Sequence, residues 1–374
     1  MKRELRAQGK DVIDLGVGDP DLPTPDFVIK ALSEAAHDPR NHRYALDAGL
    51  PELREAFASW FLNRFGVKLN PAEEVLPLLG SKEGIAHLPL ALLNPGDVAL
   101  VPYPCYPVYK SAVHLAGAVP YLLPLLESED FLPDYTTIPR DPLEKSRLLF
   151  LNYPNNPTAA CATKEFFERS VAFAREHGIL IAQDAAYSEM TYDGYAAPSI
   201  LQIEGAKEIA VEFHSLSKTY NMTGWRVGFA VGNREALRLL AKVKSNIDSG
   251  IFQAVQLAGK RAIEEGKMSL DHSLSVYRSR RDLFVSGLNR LGWKVRVPQA
   301  TFYVWIPVPP GYTSQELALK LLEEAQIVVT PGNGFGPNGE GYVRASLTIP
   351  EERLREALTR IEKIHSSAQQ RGKT

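Results

Sequence analysis

"EIAVEFHSLSKTYNMTGWRVGFAVG", residues 208–232, sets two apolar runs on either side of a polar stretch. "EIAVEFHSLSK" (208–218) and "WRVGFAVG" (225–232) read as buried strands, short apolar runs bounded by polar or Gly residues. Each gives way to polar or Gly residues. Between them Ser215 and Ser217 crowd a single lysine, Lys218, and Arg226 follows eight residues later.

The same pattern recurs outward. "DVALVPYP" (97–104), "SRLLFLNYPNNP" (146–157) and "GILIAQDAAY" (178–187) read as further buried strands. "TKEFFERSVAFAREH" (163–177) and "REALRLLAKVKSNI" (234–247) carry apolar residues at helical spacing, and "PLLGSKEGIAHLPLALL" is a Gly/Ser turn feeding an apolar helix. Alternating strands and helices predict an α/β fold around a mainly parallel sheet. Ligands of such sheets gather at the carboxyl ends of the strands. From about residue 266 the pattern changes to a charged helix, a strand in "KVRVPQATFYVWIPVP", a helix in "TSQELALKLLEEAQ", then "IVVTPG", "GYVRASLTI" and a final amphipathic helix. The reading is therefore a large domain, 40–265, and a smaller α+β domain, 266–374, joined by residues 1–39.

Composition narrows the function classes. A formal charge of −2 lacks the basic surplus of a nucleic-acid-binding chain. Two cysteines, Cys105 and Cys161, form no C-x-x-C pair and no disulfide framework. The eight histidines show no metal-ligand spacing. "GVGDPD" lacks the third glycine of a dinucleotide fingerprint. No apolar run reaches the roughly 20 residues of a membrane span, and the N-terminus has no signal-peptide core, so the expectation is a cytoplasmic protein. "YRSRRD" (277–282) reads as a solvated helix face.

Strand-end residues supply partners for Lys218. Asn156 ends "LNYPNNPT", Asp184 follows an apolar strand, and Tyr187 lies three residues on. Pyridoxal phosphate asks for such a set. It needs a lysine for a Schiff base, a buried carboxylate facing the pyridine nitrogen, and donors for the ring oxygen. Its phosphate suits backbone N–H groups at a helix start, hydroxyls and an arginine.

"NYPNNPT", "DAAYSE" and "SLSKTYNMTGWRVG", in that order and spacing, resemble the fold-type I pyridoxal-phosphate enzymes of the class I/II aminotransferase group, over nearly the whole chain. The resemblance implies a seven-stranded, mainly parallel sheet in the large domain. It implies that Lys218 is the Schiff-base lysine and proton carrier, that Asp184 pairs the pyridine nitrogen, and that Asn156 and Tyr187 hold the ring oxygen. Ser81 and Lys82 (through their backbone), Ser215, Ser217 and Arg226 would grip the phosphate. Tyr106 would stack on the ring, and Tyr44 would reach the phosphate of a neighbouring subunit in a homodimer. Gly18, Tyr106, Asn156, Asn246 and Arg344 would meet the substrate, Arg344 at the α-carboxylate and Asn246 across the dimer. Where the family often has glycine after "NNPT", this chain has Ala159 and Ala160.

The activity implied is ping-pong transfer of an amino group between an amino acid and a 2-oxo acid. "LGVGDPDLPTP", "KSNIDSGIFQAVQ" and "GYVRASLT" are similar to the LL-diaminopimelate aminotransferase branch, which serves lysine synthesis. A broad aspartate, alanine or aromatic aminotransferase, and a β C–S lyase on the same fold, share the same motifs and stay open.

Overall fold

The computed structural model describes residues 2–45 and 48–371. Its main sheet has seven strands in the order Val75–Leu78, Gly228–Gly232, Ala210–Ser215, Leu180–Asp184, Ser146–Asn152, Val98–Tyr103 and Val119–Pro124. Gly228–Gly232 runs antiparallel to both its neighbours, and the remaining pairs are parallel. The expected α/β class and seven-stranded sheet are borne out.

Two strands carried no clear sequence signal, Val75–Leu78 ("VLPL") and Val119–Pro124 ("VPYLLP"). Their prolines argue against strand, since proline cannot donate to a ladder. Both lie at the edges of the sheet, where one side needs no partner. Four of the other strands end earlier than their apolar runs predict, while Gly228–Gly232 starts later and ends where expected. "NYPNNP" leaves the sheet after Asn152, and Leu216–Thr219 turns into a short helix directly after Ser215.

Side chains alternate between two buried faces of the sheet. Leu149, Leu151, Ile181, Phe229 and Val231 face the helices Pro51–Phe65, Lys164–His177 and Gln253–Glu265. Leu148, Phe150, Val211, Phe213 and Ala230 face the helices Ser81–Leu92, Val108–Leu115 and Arg234–Lys244.

A second core forms around the antiparallel strands Thr330–Pro331, Tyr342–Ser346 and Tyr303–Pro307, backed by the helices Lys267–Arg290, Ser314–Ala325 and Glu351–Arg371. The N-terminal strand Ile13–Asp14 pairs in parallel with Ile327–Val328 and adds Ile13 and Leu15 to this second core. The helix Asp26–Ala36 instead packs on Gln253–Glu265, and its Val28 belongs to the first core. The intervening loop must therefore pass from one core to the other.

Two arginines anchor this arrangement and correct the reading of "YRSRRD" as solvated. Arg280 and Arg281 are 5% and 3% exposed. Arg280 forks onto both carboxylate oxygens of Asp21 at 2.7 and 2.8 Å and donates to the Leu347 carbonyl at 3.1 Å. Arg281 pairs with Asp193 at 2.6 Å. Both carboxylates lie far away in sequence, so local patterning could not reveal them. Removing one partner of a buried pair strands the other's charge. Asp21→Ala should therefore lower stability by about 3 kcal/mol, read as a fall in the urea midpoint at unchanged slope.

Candidate active site

The carboxyl ends of the parallel strands open into a cavity of ≈ 520 Å³. Strand register sets Asn152 beside Asp184 and Asp184 beside Phe213, two residues before Ser215. The cavity gathers Gly18, Ser81, Lys82, Tyr106, Asn156, Asp184, Tyr187, Ser215, Ser217, Lys218, Arg226 and Arg344. Tyr44 and Asn246 do not line it. Tyr44 is 89% exposed in an open groove with Ile251 and Phe252. Asn246 follows the helix Arg234–Lys244, its side-chain amide donating to the Lys242 carbonyl at 2.8 Å.

Asp184 ends its strand fully inside the protein. Tyr109 donates its hydroxyl to one carboxylate oxygen at 2.8 Å, and the Ala186 N–H donates to the other at 3.1 Å. Burial pushes the carboxyl up to about 6; the Tyr109 and Ala186 donors and His214 pull the other way. Tyr109 was not singled out in the sequence, although it lies one helical turn beyond Tyr106. It is stacked on Phe150 with 5.1 Å between ring centroids, which fixes the direction of its hydroxyl.

The turn after Ser146–Asn152 is built from asparagine side chains. Asn152 accepts the Asn156 N–H at 2.8 Å, and Asn155 accepts both the N–H and the hydroxyl of Thr158 at 3.0 and 2.7 Å. Ala159 adopts φ 59, the left-handed conformation that glycine takes without a Cβ clash. Alanine holds this conformation at a higher local cost than glycine would.

Lys218 donates to the Gly18 carbonyl at 3.0 Å. Burial lowers its ammonium to about 8; Asp19 opposes the shift, while Arg226 and Arg344 add to it. Next to it, Ser217 Oγ is buried and finds no partner among the described residues. Arg226, at φ 58, reaches over the turn before Ser81–Leu92, donating to the carbonyls of Thr223 and Leu79 at 2.9 and 3.1 Å. Gly80 sits at φ 78, a backbone that favours glycine, and a Cβ there would stand 2.2 Å from Arg226 Nη2 and displace it. The helix Ser81–Leu92 begins without a side-chain cap, and its first residues, Ser81 and Lys82, line the cavity, where helix-start N–H groups suit an anion.

At the opposite wall Arg344 donates to Asn156 Oδ1 at 2.7 Å and to the Gly16 carbonyl at 2.8 Å. Its guanidinium carbon lies 4.1 Å from the Tyr303 ring centre and 4.7 Å from that of Phe335, a cation held between two aromatic faces. Its Nε is buried with no partner among the described residues. Tyr303 and Tyr187 share a hydroxyl–hydroxyl hydrogen bond of 3.0 Å, and burial holds both phenols above their ordinary range. A Cβ on Gly18 would stand 2.0 Å from the Tyr303 hydroxyl, so only glycine admits this close approach. Tyr303, Phe335 and the Gly16 carbonyl had no signal of their own in the sequence, because their neighbourhood is assembled from both ends of the chain.

The arrangement can fix an anion at one end, a carboxylate at the other, and set between them an amine that gives up its proton more readily than an exposed lysine. Comparison with known proteins agrees with this chemistry. The family model for aminotransferase class I and II matches residues 10–361. An LL-diaminopimelate aminotransferase of Syntrophobacter fumaroxidans is 54% identical over 364 residues, covering 97% of this chain and 94% of that protein. One from Desulforudis audaxviator is 53% identical over 358 residues, covering 96% and 91%. Among solved structures, substrate-bound BacF from Bacillus subtilis superposes with a TM-score of 0.93 at 41% identity, covering 97% of this chain and 94% of that one. The chain belongs to the class I and II aminotransferase family.

Proposed function

We propose that this aminotransferase uses pyridoxal 5′-phosphate and transfers the amino group of LL-diaminopimelate to 2-oxoglutarate, and in reverse that of glutamate to tetrahydrodipicolinate, in lysine biosynthesis. The observation that carries the reading is the pairing, in one cavity, of a buried carboxylate at Asp184 with a buried amine at Lys218. Curated relatives at 50–54% identity over nearly the full length are LL-diaminopimelate aminotransferases, which supports the substrate.

The residues present fit the cofactor. The uncapped start of Ser81–Leu92, the unpartnered Ser217 hydroxyl, Ser215 and Arg226 make an anion cradle for its phosphate. Asp184 lies across the same cavity as counter-charge for a ring nitrogen, with Asn156 and Tyr187 as polar groups for the ring oxygen and Tyr106 as the aromatic surface against the ring. When bound, pyridoxal phosphate supplies an aldehyde that condenses with amines and a protonated ring that draws electrons from the bond being broken.

The chain's own residues do the rest. Lys218, with its ammonium lowered to about 8, reaches its neutral form far more readily than an exposed lysine and so can take the proton from the substrate α-carbon and return it. Tyr109 and the Ala186 N–H aim the Asp184 carboxylate, and a cationic ring nitrogen beside it favours its ionised form. Arg344, clamped by Asn156, Gly16 and two aromatic rings, presents its guanidinium to the substrate α-carboxylate with little freedom left to lose.

A homodimer with shared sites accounts for Tyr44, whose ring stands exposed beside Phe252, with the half-exposed Ile247 nearby in sequence. No helix among the described residues is long and apolar enough to cross a membrane, in keeping with a cytoplasmic enzyme.

The purified chain, supplied with 2-oxoglutarate and a panel of amino donors, should turn over LL-diaminopimelate fastest, with parallel-line ping-pong kinetics. Its visible absorbance should vanish in Lys218→Ala. Colourless wild-type protein, or ammonia and pyruvate from cystathionine without any need for a 2-oxo acid, would overturn the reading. A second expectation concerns pH. Because the folded pKa of Asp184 stands at about 6 against an ordinary 3.8, the folded cofactor-free chain binds this proton more tightly than the unfolded chain. Stability is thus lost as pH rises from about 4 through about 6. In that chain Asp184→Asn should be more stable than wild type by about 3 kcal/mol at pH 8 and no more stable at pH 4, measured by urea unfolding.

A further inference from the structure

Lys244, the last residue of Arg234–Lys244, is 1% exposed but does not line the cavity. Its ammonium bonds Asp248 Oδ1 at 2.6 Å and lies 3.5 Å from Glu83 Oε2. Glu83 stands in the first turn of Ser81–Leu92. Its Oε2 accepts the Leu79 N–H at 3.0 Å, and its Oε1 meets His87 Nδ1 at 3.0 Å. Leu79 is therefore fixed twice, its N–H by Glu83 and its carbonyl by Arg226 at 3.1 Å.

The electrostatics of this turn conflict. A carboxylate in the first turn of a helix suits the helix dipole, but it opposes any anion bound at the same helix start. Burial sharpens the conflict, since salt does little to screen charges withdrawn from water. A lysine is also costly to bury unless it is paired, and a methionine of similar length would fill the same space. We propose that Lys244 is a positioning residue for the phosphate turn at residues 79–82: shared between Asp248 and Glu83, its charge offsets Glu83 enough to let that carboxylate fix the Leu79 backbone with less repulsion of the cofactor's phosphate. The proposal rests on the pyridoxal-phosphate reading above.

The test is calorimetric titration of inorganic phosphate into the full-length chain stripped of cofactor. Lys244→Met should bind phosphate about tenfold more weakly, the effect of one uncompensated nearby charge. Glu83→Gln, which keeps an oxygen for the Leu79 N–H but drops the charge, should bind it more tightly than wild type. The double variant should recover part of the loss, the part due to Glu83, because Asp248 still lacks its partner. Wild-type affinity in Lys244→Met, or a double variant as weak as Lys244→Met alone, would overturn the proposal, because a packing role would not be rescued by removing a charge. If Lys244→Met does not fold, Glu83→Gln decides alone: unchanged or weaker phosphate binding overturns it. Wild-type protein that binds no phosphate, or Arg226→Gln that binds it as well as wild type, instead removes the phosphate site and this inference with it.

Discussion

The structure depends on keeping a carboxylate and an amine out of water in the same small volume. Neither Asp184 nor Lys218 is salt-bridged to the other; each is instead held by neutral groups, Asp184 by Tyr109 and a backbone N–H, Lys218 by the Gly18 carbonyl. Burial pushes both toward their uncharged forms, the carboxyl up to about 6 and the ammonium down to about 8. Isolated on the surface, these residues would be a permanent anion and a permanent cation. Desolvation turns them into groups whose charge answers to what is bound beside them.

The sheet provides that burial. Three adjacent parallel strands end close together, Asn152 level with Asp184 and Ser215 two residues beyond the Phe213 that pairs with Asp184, at one edge of a core sealed on both faces. The far wall comes from the second core, through Tyr303 and Arg344 on neighbouring antiparallel strands. The loop that crosses between the cores serves both sides at once. Gly16 and Gly18 give their carbonyls to Arg344 and Lys218, while Arg280 holds Asp21 a few residues further on. The orientations of Arg344 and Lys218 are thus set by the same short stretch of backbone.

Much of this was legible beforehand because strand ends are local events. "NYPNNPT", "DAAYSE" and "SLSK" each place their polar residues directly after an apolar run, and the cavity contains Asn156, Asp184, Tyr187, Ser215, Ser217 and Lys218 accordingly. Edge strands were harder to see, since prolines that forbid a central strand are harmless at the margin of a sheet. The two arginines of "YRSRRD" were misjudged because charge alone says nothing about whether a carboxylate from elsewhere will meet it in the interior.

The sequence by itself determined the α/β class and the sheet's central strands, and it set Asp184 and Lys218 just past strand ends, because each of these follows from apolar patterning and from the residues next to it in the chain. Tertiary structure alone decided what those residues can do. Tyr109 acquires its role from Asp184, 75 residues away, Arg344 from Asn156, 188 residues away, and the Gly18 carbonyl from Lys218, 200 residues away. Proton affinity and orientation are set by desolvation and by hydrogen bonds across such distances, and both come into being only when the two cores close around the site.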